Sequence, residues 1–342
     1  MSTFLAEVGQ HPAALRELVA RYRGAERDKL HAWAAKARAA GRVVFAGMGT
    51  SAFVAEASLP AMARLGVDGT ALDAGEALHY PRPLPALVVL ISQSGESYET
   101  VRLAAQLAGS HELVTIVNDG GSTLARAASL VLPLCAGGES AISTKTYANS
   151  LALLYLLSAA LAGETATEAG LDALDRLAGA LAAVDGRGIA RAAALLADAG
   201  AIQFIARGPA LVAAKQAALT FMEGTRTPAA AFTGGAFRHG PFELVDANHR
   251  CVFFIASGAT GPLLRRMAEE VAALGSRAVA IGNLDLALPP ATCWALPVPA
   301  CDEDLFPLAA APTQELLLYA VAARRGVAAG VFRHGGKVTT RE

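Results

Sequence analysis

Residues 92–97 read Ser-Gln-Ser-Gly-Glu-Ser and follow an apolar run. Ser92, Gln93, Ser94 and Ser97 can each donate a hydrogen bond, and Gly95 lets the backbone turn closely. A helix beginning after them adds free N–H groups and a partial positive charge. Together these suit a phosphate monoester dianion without lysine or arginine. An ordinary N-cap needs only one of the serines, so three serines and a glutamine at a strand end favour an anion site.

A second loop, Gly47-Met48-Gly49-Thr50-Ser51, also ends an apolar run, and Ala52 completes a G-x-G-x-x-A pattern. That is the template of a dinucleotide-binding turn, and Asp68 and Asp73 lie near the right distance for a ribose. A nicotinamide cofactor, however, leaves residues 92–97 without a task, so no cofactor is expected. A third cluster, Glu139, Ser143, Thr144 and Lys145, opens the helix that contains Leu151. Capping by Ser140 or Ser143 accounts for it equally well.

Two residues could move protons. Glu223 stands near the C-terminal end of a helix, and sixteen residues on His239 lies between Arg238 and Gly240-Pro241. Histidine titrates near neutral pH and can act as an acid or base. A solvated glutamate and a linking turn are the plainer alternatives. Lys337, near the chain end, reads by itself as part of a frayed tail.

These residues need a scaffold, and the 342-residue chain is long enough for two domains. Apolar runs at 42–47, 86–92, 112–119 and 129–134 alternate with helical patterns, which implies a parallel sheet covered on both faces. Residues 1–40 read as helical, with Leu15, Leu18 and Val19 on one face, and residues 51–65 as one helix. After a helical connection at 163–200 the plan restarts. Residues from Gly41 can be laid over those from Gly200, with Phe45 on Phe204 and Gly49 on Gly208, and residues 88–95 over 252–259. This overlay implies an internal duplication. Copy two has Pro209-Ala210 and Ala256-Ser257 where copy one has hydroxyls and an amide, so the ligand site belongs mainly to copy one. The expected divisions are 1–40, 41–165, 166–198, 199–325 and a tail at 326–342.

Composition narrows the partners. Lys and Arg number 29 against 30 Asp and Glu, a net charge of -1, so nothing attracts a nucleic acid. Cys135, Cys251, Cys293 and Cys301 are far apart, which suits a reduced cytoplasmic protein without a metal site. The apolar stretch Leu151–Gly163 is too short to span a bilayer, and the acidic start is no signal peptide, so no membrane is expected.

The stretches "GMGTS", "ISQSGES", "STKTY", Glu223 followed by "FRHGP", and the final "GKVTTRE" together resemble the SIS (sugar isomerase) family, in particular the isomerase half of glucosamine-6-phosphate synthase. The resemblance implies two tandem parallel-sheet, three-layer α/β/α domains of flavodoxin-like type. It implies that Ser51, Ser92, Gln93, Ser94 and Ser97 hold a sugar phosphate, and that Thr50 and Ser143 touch sugar hydroxyls. Glu223 would carry a proton between C1 and C2. His239 would assist ring opening from the partner subunit of a homodimer with shared sites, and Lys337 would close over the sugar.

This chain departs from the family pattern in three places. Thr220 stands where the synthase has a lysine, Gly235-Ala236 replaces the usual Gly-Glu, and the stretch 139–145 is one residue shorter. Ser2 follows Met1 where a glutaminase half would have its cysteine. The activity so implied is an amino-sugar phosphate deaminase or aldose-ketose isomerase. A fructosamine-phosphate deglycase or a non-catalytic phosphosugar sensor are the alternatives, although the first 40 residues are too short and too little basic for a DNA-binding head.

Overall fold

A computed structural model describes residues 3–81, 83–184, 186–283, 292–339 and 341. The chain forms two compact units. One comprises residues 10–139, 145–178 and 334–342, the other residues 1–9, 140–144 and 179–333. We call them the first-sheet and second-sheet units.

The first-sheet unit holds β1 (Arg42–Gly47), β2 (Asp68–Asp73), β3 (Leu87–Ser92), β4 (Glu112–Val117) and β5 (Leu130–Pro133), all parallel in the order β2-β1-β3-β4-β5. The second-sheet unit holds β6 (Ile202–Ala206), β7 (Ala229–Thr233), β8 (Arg250–Ile255), β9 (Arg277–Gly282) and β10 (Cys293–Pro297), parallel in the order β10-β9-β8-β6-β7. Read from its other edge, the second sheet repeats the order of the first. This is the doubly wound flavodoxin-like order.

The central strands are apolar because both faces are covered: β3 and β8 are buried at every residue. The edge strands β2 and β7 are half exposed, and neither carries an aliphatic run. The expected helix at 51–65 is interrupted. It runs as Thr50–Val54, a 3-10 turn Ala55–Ala57, and a new helix Leu59–Arg64. Pro60 has no N–H and its ring would strike the carbonyl one turn back, so the chain must restart there.

In the first-sheet unit, helices His11–Arg23 and Arg27–Ala40 flank the almost wholly buried helix Lys145–Ala162. Asn149 donates to the carbonyls of Ala14 (3.0 Å) and Leu134 (2.8 Å), and Trp33 donates to that of Leu157 (3.1 Å). The second-sheet core is built on aromatics, with Phe204 edge-on to Phe221 at 5.0 Å and stacked with Phe254 at 6.4 Å. The long apolar segment Glu303–Arg324 is a core helix of that unit, 83% of its most apolar window being buried. The four cysteines are free, and burial pushes the Cys293 thiol up to about 12 and that of Cys301 to about 11. Neither is a thiolate at neutral pH.

Strand pairing corrects the sequence overlay by one residue. Ser92 faces Val117 at the end of β3, and Ile255 faces Gly282 at the end of β8. Ser92 therefore corresponds to Ile255, not to Ala256, and Ser94-Gly95 falls on Ser257-Gly258.

Candidate functional site

In the order β2-β1-β3-β4-β5 the direction of winding reverses between β1 and β3. Ligands of such sheets bind beyond the carboxyl ends of the strands at that switch point. Here the loops 47–51 and 92–97 leave those two strand ends. Gly47 is pinched between them: a Cβ on it would lie 2.8 Å from Ser51 Cβ and 2.9 Å from the Ile91 carbonyl oxygen. That closeness brings Ser51, with Thr50 beside it, next to the root of residues 92–97.

The 92–97 loop is organised by its own polar atoms. The Ser92 and Ser97 hydroxyls share a hydrogen bond of 3.1 Å, the Gly95 N–H donates to Ser92 Oγ (3.1 Å), and the Glu96 N–H donates to Ser94 Oγ (3.1 Å). Gly95 takes φ +66°, and a Cβ there would meet Ser122 Oγ at 2.1 Å. Ser97 occupies the N-cap position of helix Tyr98–Leu107 yet makes no capping bond to it. Ser97 therefore does not cap the helix that it precedes; its hydroxyl pairs with that of Ser92.

Residues that drew no attention in the sequence fix this loop. Thr123 N–H donates to Glu96 Oε1 at 2.6 Å, and Asn118 N–H to the Gln93 carbonyl at 3.0 Å. Asn118 also donates from Nδ2 to the Gly137 carbonyl (2.8 Å) and accepts from Ala136 N–H (2.9 Å), tying the ends of β4 and β5 together. Its place in a turn-rich stretch, Asn118 to Ser122, was the available signal.

The tail is docked, not frayed. Lys337 Nζ is paired with Glu139, whose side chain is fully buried while that of Lys337 is 18% exposed. Glu139 also accepts from Thr146 N–H (3.0 Å) and Thr146 Oγ1 (2.6 Å). Burial pushes the Glu139 carboxyl up, but Lys337 and the Thr146 bonds outweigh it and hold the carboxyl below the usual range. Two residues on, the Thr339 carbonyl accepts from Tyr98 N–H at 3.0 Å, so the tail reaches the first turn of the helix behind the loop. Lys145 is buried and donates to Gln10 Oε1 and the Gly138 carbonyl, each at 2.6 Å.

The second-sheet unit holds the other candidates. Glu223 is half-buried in the last turn of helix Leu211–Thr225, which ends at Arg226 in a left-handed conformation of φ +58°. Thr220 is buried, and its hydroxyl donates to the Gln216 carbonyl at 2.9 Å. It serves its own helix and is no stand-in for a lysine amine. Ser143 belongs to this unit as well, its carbonyl accepting from Gln216 Nε2 at 3.5 Å. Ile142 packs against Gly224, the residue after Glu223, with its Cδ1 3.1 Å from where a Cβ on Gly224 would stand. His239 is exposed at the end of the short helix Gly234–Arg238, whose Phe237 is buried and whose Arg238 pairs with Glu270. Thus Thr50, Ser51, Ser92, Gln93, Ser94, Ser97 and Lys337 lie in one unit, and Ser143, Glu223 and His239 in the other.

Two flavodoxin-like units, one with an uncharged hydroxyl cradle at its switch point, define the class: a tandem doubly wound α/β protein. The SIS domain model matches residues 37–160, which span β1 to β5, and 195–287, which span β6 to β9, and the chain belongs to the SIS domain family. Glutamine-fructose-6-phosphate aminotransferase (isomerizing) of Aeropyrum pernix is 31% identical over 361 residues, covering 99% of this chain and 57% of the relative. Its counterpart in Methanothermobacter thermautotrophicus is 31% identical over 246 residues, covering 70% of this chain and 41% of the relative. The chain spans about half the length of these curated relatives.

Among solved structures, the C-terminal domain of glucosamine-fructose-6-phosphate aminotransferase from Francisella tularensis matches with TM-score 0.87 at 20% identity, covering 96% of this chain and 98% of that one. Glucosamine-6-phosphate deaminase from Thermotoga maritima matches with TM-score 0.76 at 21% identity, covering 98% and 99%. These two share the fold.

Proposed function

We propose that the chain binds a sugar phosphate on residues 92–97, with Ser51 beside them, and acts on it as an amino-sugar phosphate deaminase or aldose-ketose isomerase. The observation that carries this is the loop itself: paired Ser92 and Ser97 hydroxyls at a switch point, above a helix that its N-cap side chain does not cap. A dianion there accepts from hydroxyls and backbone N–H groups and meets the positive helix end. Gripping the phosphate far from the reacting carbons turns binding energy into orientation of the sugar.

The chemistry then needs one proton moved between adjacent carbons. In the open form of glucosamine 6-phosphate, the Glu223 carboxylate takes the C2 proton while O1 gains one from solvent, leaving an enolamine, and returns its proton to C1 as the nitrogen releases one to solvent. The product is a C1 alcohol and a C2 imine, which water converts to the ketose phosphate and ammonia. His239, from a second copy in a homodimer, would pass the ring-opening proton, and Lys337 and Thr50 with Ser143 would face the sugar. The names of the relatives, aminotransferases acting on fructose 6-phosphate and a glucosamine-6-phosphate deaminase, agree with this substrate class.

Thr220, bonded to its own helix, leaves no amine at that position for proton handling. That favours a second reading, a phosphosugar sensor without turnover. Ammonia release from glucosamine 6-phosphate, with thermal shift by glucitol 6-phosphate measured alongside, tests both. The expected result is turnover in the native chain and, in Glu223→Gln, loss of turnover with the thermal shift kept. Binding without turnover on amino-sugar or fructosamine phosphates selects the sensor, and neither binding nor turnover refutes the proposal.

A further inference from the structure

The two sheets correspond strand end for strand end. Gly47 opposite Asp73 matches Ala206 opposite Thr233, and both Asp73 and Thr233 cap the helix that follows. Val117 opposite Pro133 matches Gly282 opposite Pro297. Counting on from these anchors, Gly49 corresponds to Gly208, Ser97 to Thr260, Asn118 to Asn283 and Glu139 to Glu303.

The local geometry agrees. Gly49 and Gly208 take φ +53° and +58°. Thr260, like Ser97, stands at an N-cap without making a side-chain capping bond. Asn283 Nδ2 donates to the Cys301 carbonyl at 3.3 Å, as Asn118 does to that of Gly137, the corresponding residue. Asn283 Oδ1 accepts from Ser257 N–H at 2.6 Å and so holds the loop before Gly258.

What differs is the contents. A Cβ on Gly258 would stand 2.5 Å from Glu303 Oε2, and one on Gly208 would stand 3.4 Å from its Oε1. The Glu303 carboxylate thus lies against both loops that flank the β6/β8 switch point, where a sheet of this order receives its ligand. Its counterpart Glu139 is paired with Lys337 instead.

We propose that the second-sheet unit retains a small-oxyanion site at its switch point and that the chain fills it with its own Glu303 carboxylate. The ligand class of the vacated site is a compact oxyanion, a carboxylate or a phosphate. Only the first unit would then remain open to an external phosphate. This second site rests on the phosphate reading of residues 92–97, carried over to the second sheet.

The test uses full-length Glu303→Ala. Its melting temperature is measured with formate, inorganic phosphate or chloride at equal ionic strength. The expected result is a melting temperature below that of the native chain, at least half restored by formate or phosphate and not by chloride. Glu303→Gln fills the space without the charge, so it should melt lower than the native chain and gain nothing from either anion. If Glu303→Ala does not fold, Glu303→Gln carries the test alone. Equal anion responses in Glu303→Ala and the native chain, or a Glu303→Gln chain that melts like the native one, overturn the proposal. Failure of the native chain to respond to glucitol 6-phosphate would instead overturn the reading of residues 92–97, leaving the formate rescue intact.

Discussion

Replacing Gly95 by alanine separates two penalties that the structure places on one atom. At φ +66° any L side chain is strained, and the left-handed region costs about 1–2 kcal/mol. The new Cβ would also stand 2.1 Å from Ser122 Oγ and 2.4 Å from Ser122 Cβ. Ser122 cannot yield cheaply: it is buried and caps helix Thr123–Ala127 through Ala125 N–H at 3.3 Å. Forcing such a contact apart costs about 1–3 kcal/mol more, for a sum of about 2–5 kcal/mol.

Gly109 is the control, with φ +79° and nothing within 4 Å of where a Cβ would stand, so its alanine variant should lose only the first amount. At roughly 2–4 °C per kcal/mol, Gly95→Ala should melt about 4–20 °C lower than the native chain and Gly109→Ala about 2–8 °C lower. Scanning calorimetry of the full chain measures both, and titration with glucitol 6-phosphate should show weakened binding only for Gly95→Ala. Equal melting temperatures for the two variants would refute the steric account of the loop.

Three further outcomes are expected. Ser97→Ala removes a hydroxyl from the proposed phosphate site without uncapping a helix, so sugar-phosphate affinity should fall about tenfold, as suits one hydrogen bond to a charged group, with little change in melting temperature. Lys337→Met strands the buried Glu139 carboxylate and should destabilise by about 3 kcal/mol. Because the folded Glu139 carboxyl lies below its ordinary value of 4.5, that stabilisation is complete above pH 4.5 and fades as pH falls through the lower folded value. Without Lys337, burial raises the Glu139 carboxyl of the variant, which takes up a proton as pH falls, so the melting difference between native and Lys337→Met chains should be largest near pH 8 and shrink steadily toward acid, as denaturation scans across pH would show. Thr220→Val removes only an intrahelical bond, so it should cost at most about 1 kcal/mol and leave any turnover unchanged.

How much of this was legible in the sequence depended on the range of the interaction. The buried strands β1, β3 and β8 announce themselves as apolar runs, whereas Asp68–Asp73 and Ala229–Thr233 are strands only because β1 and β6 offer them an edge. Residues 92–97 could be read as an anion loop from their types alone. That the Ser97 hydroxyl bonds Ser92 instead of capping its own helix is a matter of χ angles, which no spacing encodes. The duplication was visible, but Ala-rich sequences overlay equally well one residue apart, and only pairing settled that Ser94-Gly95 matches Ser257-Gly258. Glu139 and Lys337 each stand in a recognisable stretch of the sequence, yet their pairing joins residues 198 apart, beyond any local pattern.

That pairing also bears on the order in which the chain can be finished. As a ribosome delivers the protein, β1 to β5 and helix Lys145–Ala162 emerge long before Lys337. At about 5–20 residues per second, Glu139 waits roughly 10–40 s for its cation. Until then its carboxylate must stay hydrated or take up a proton. The strap that secures the 92–97 loop arrives only after the second sheet has been made, which couples completion of the first unit to synthesis of the whole chain.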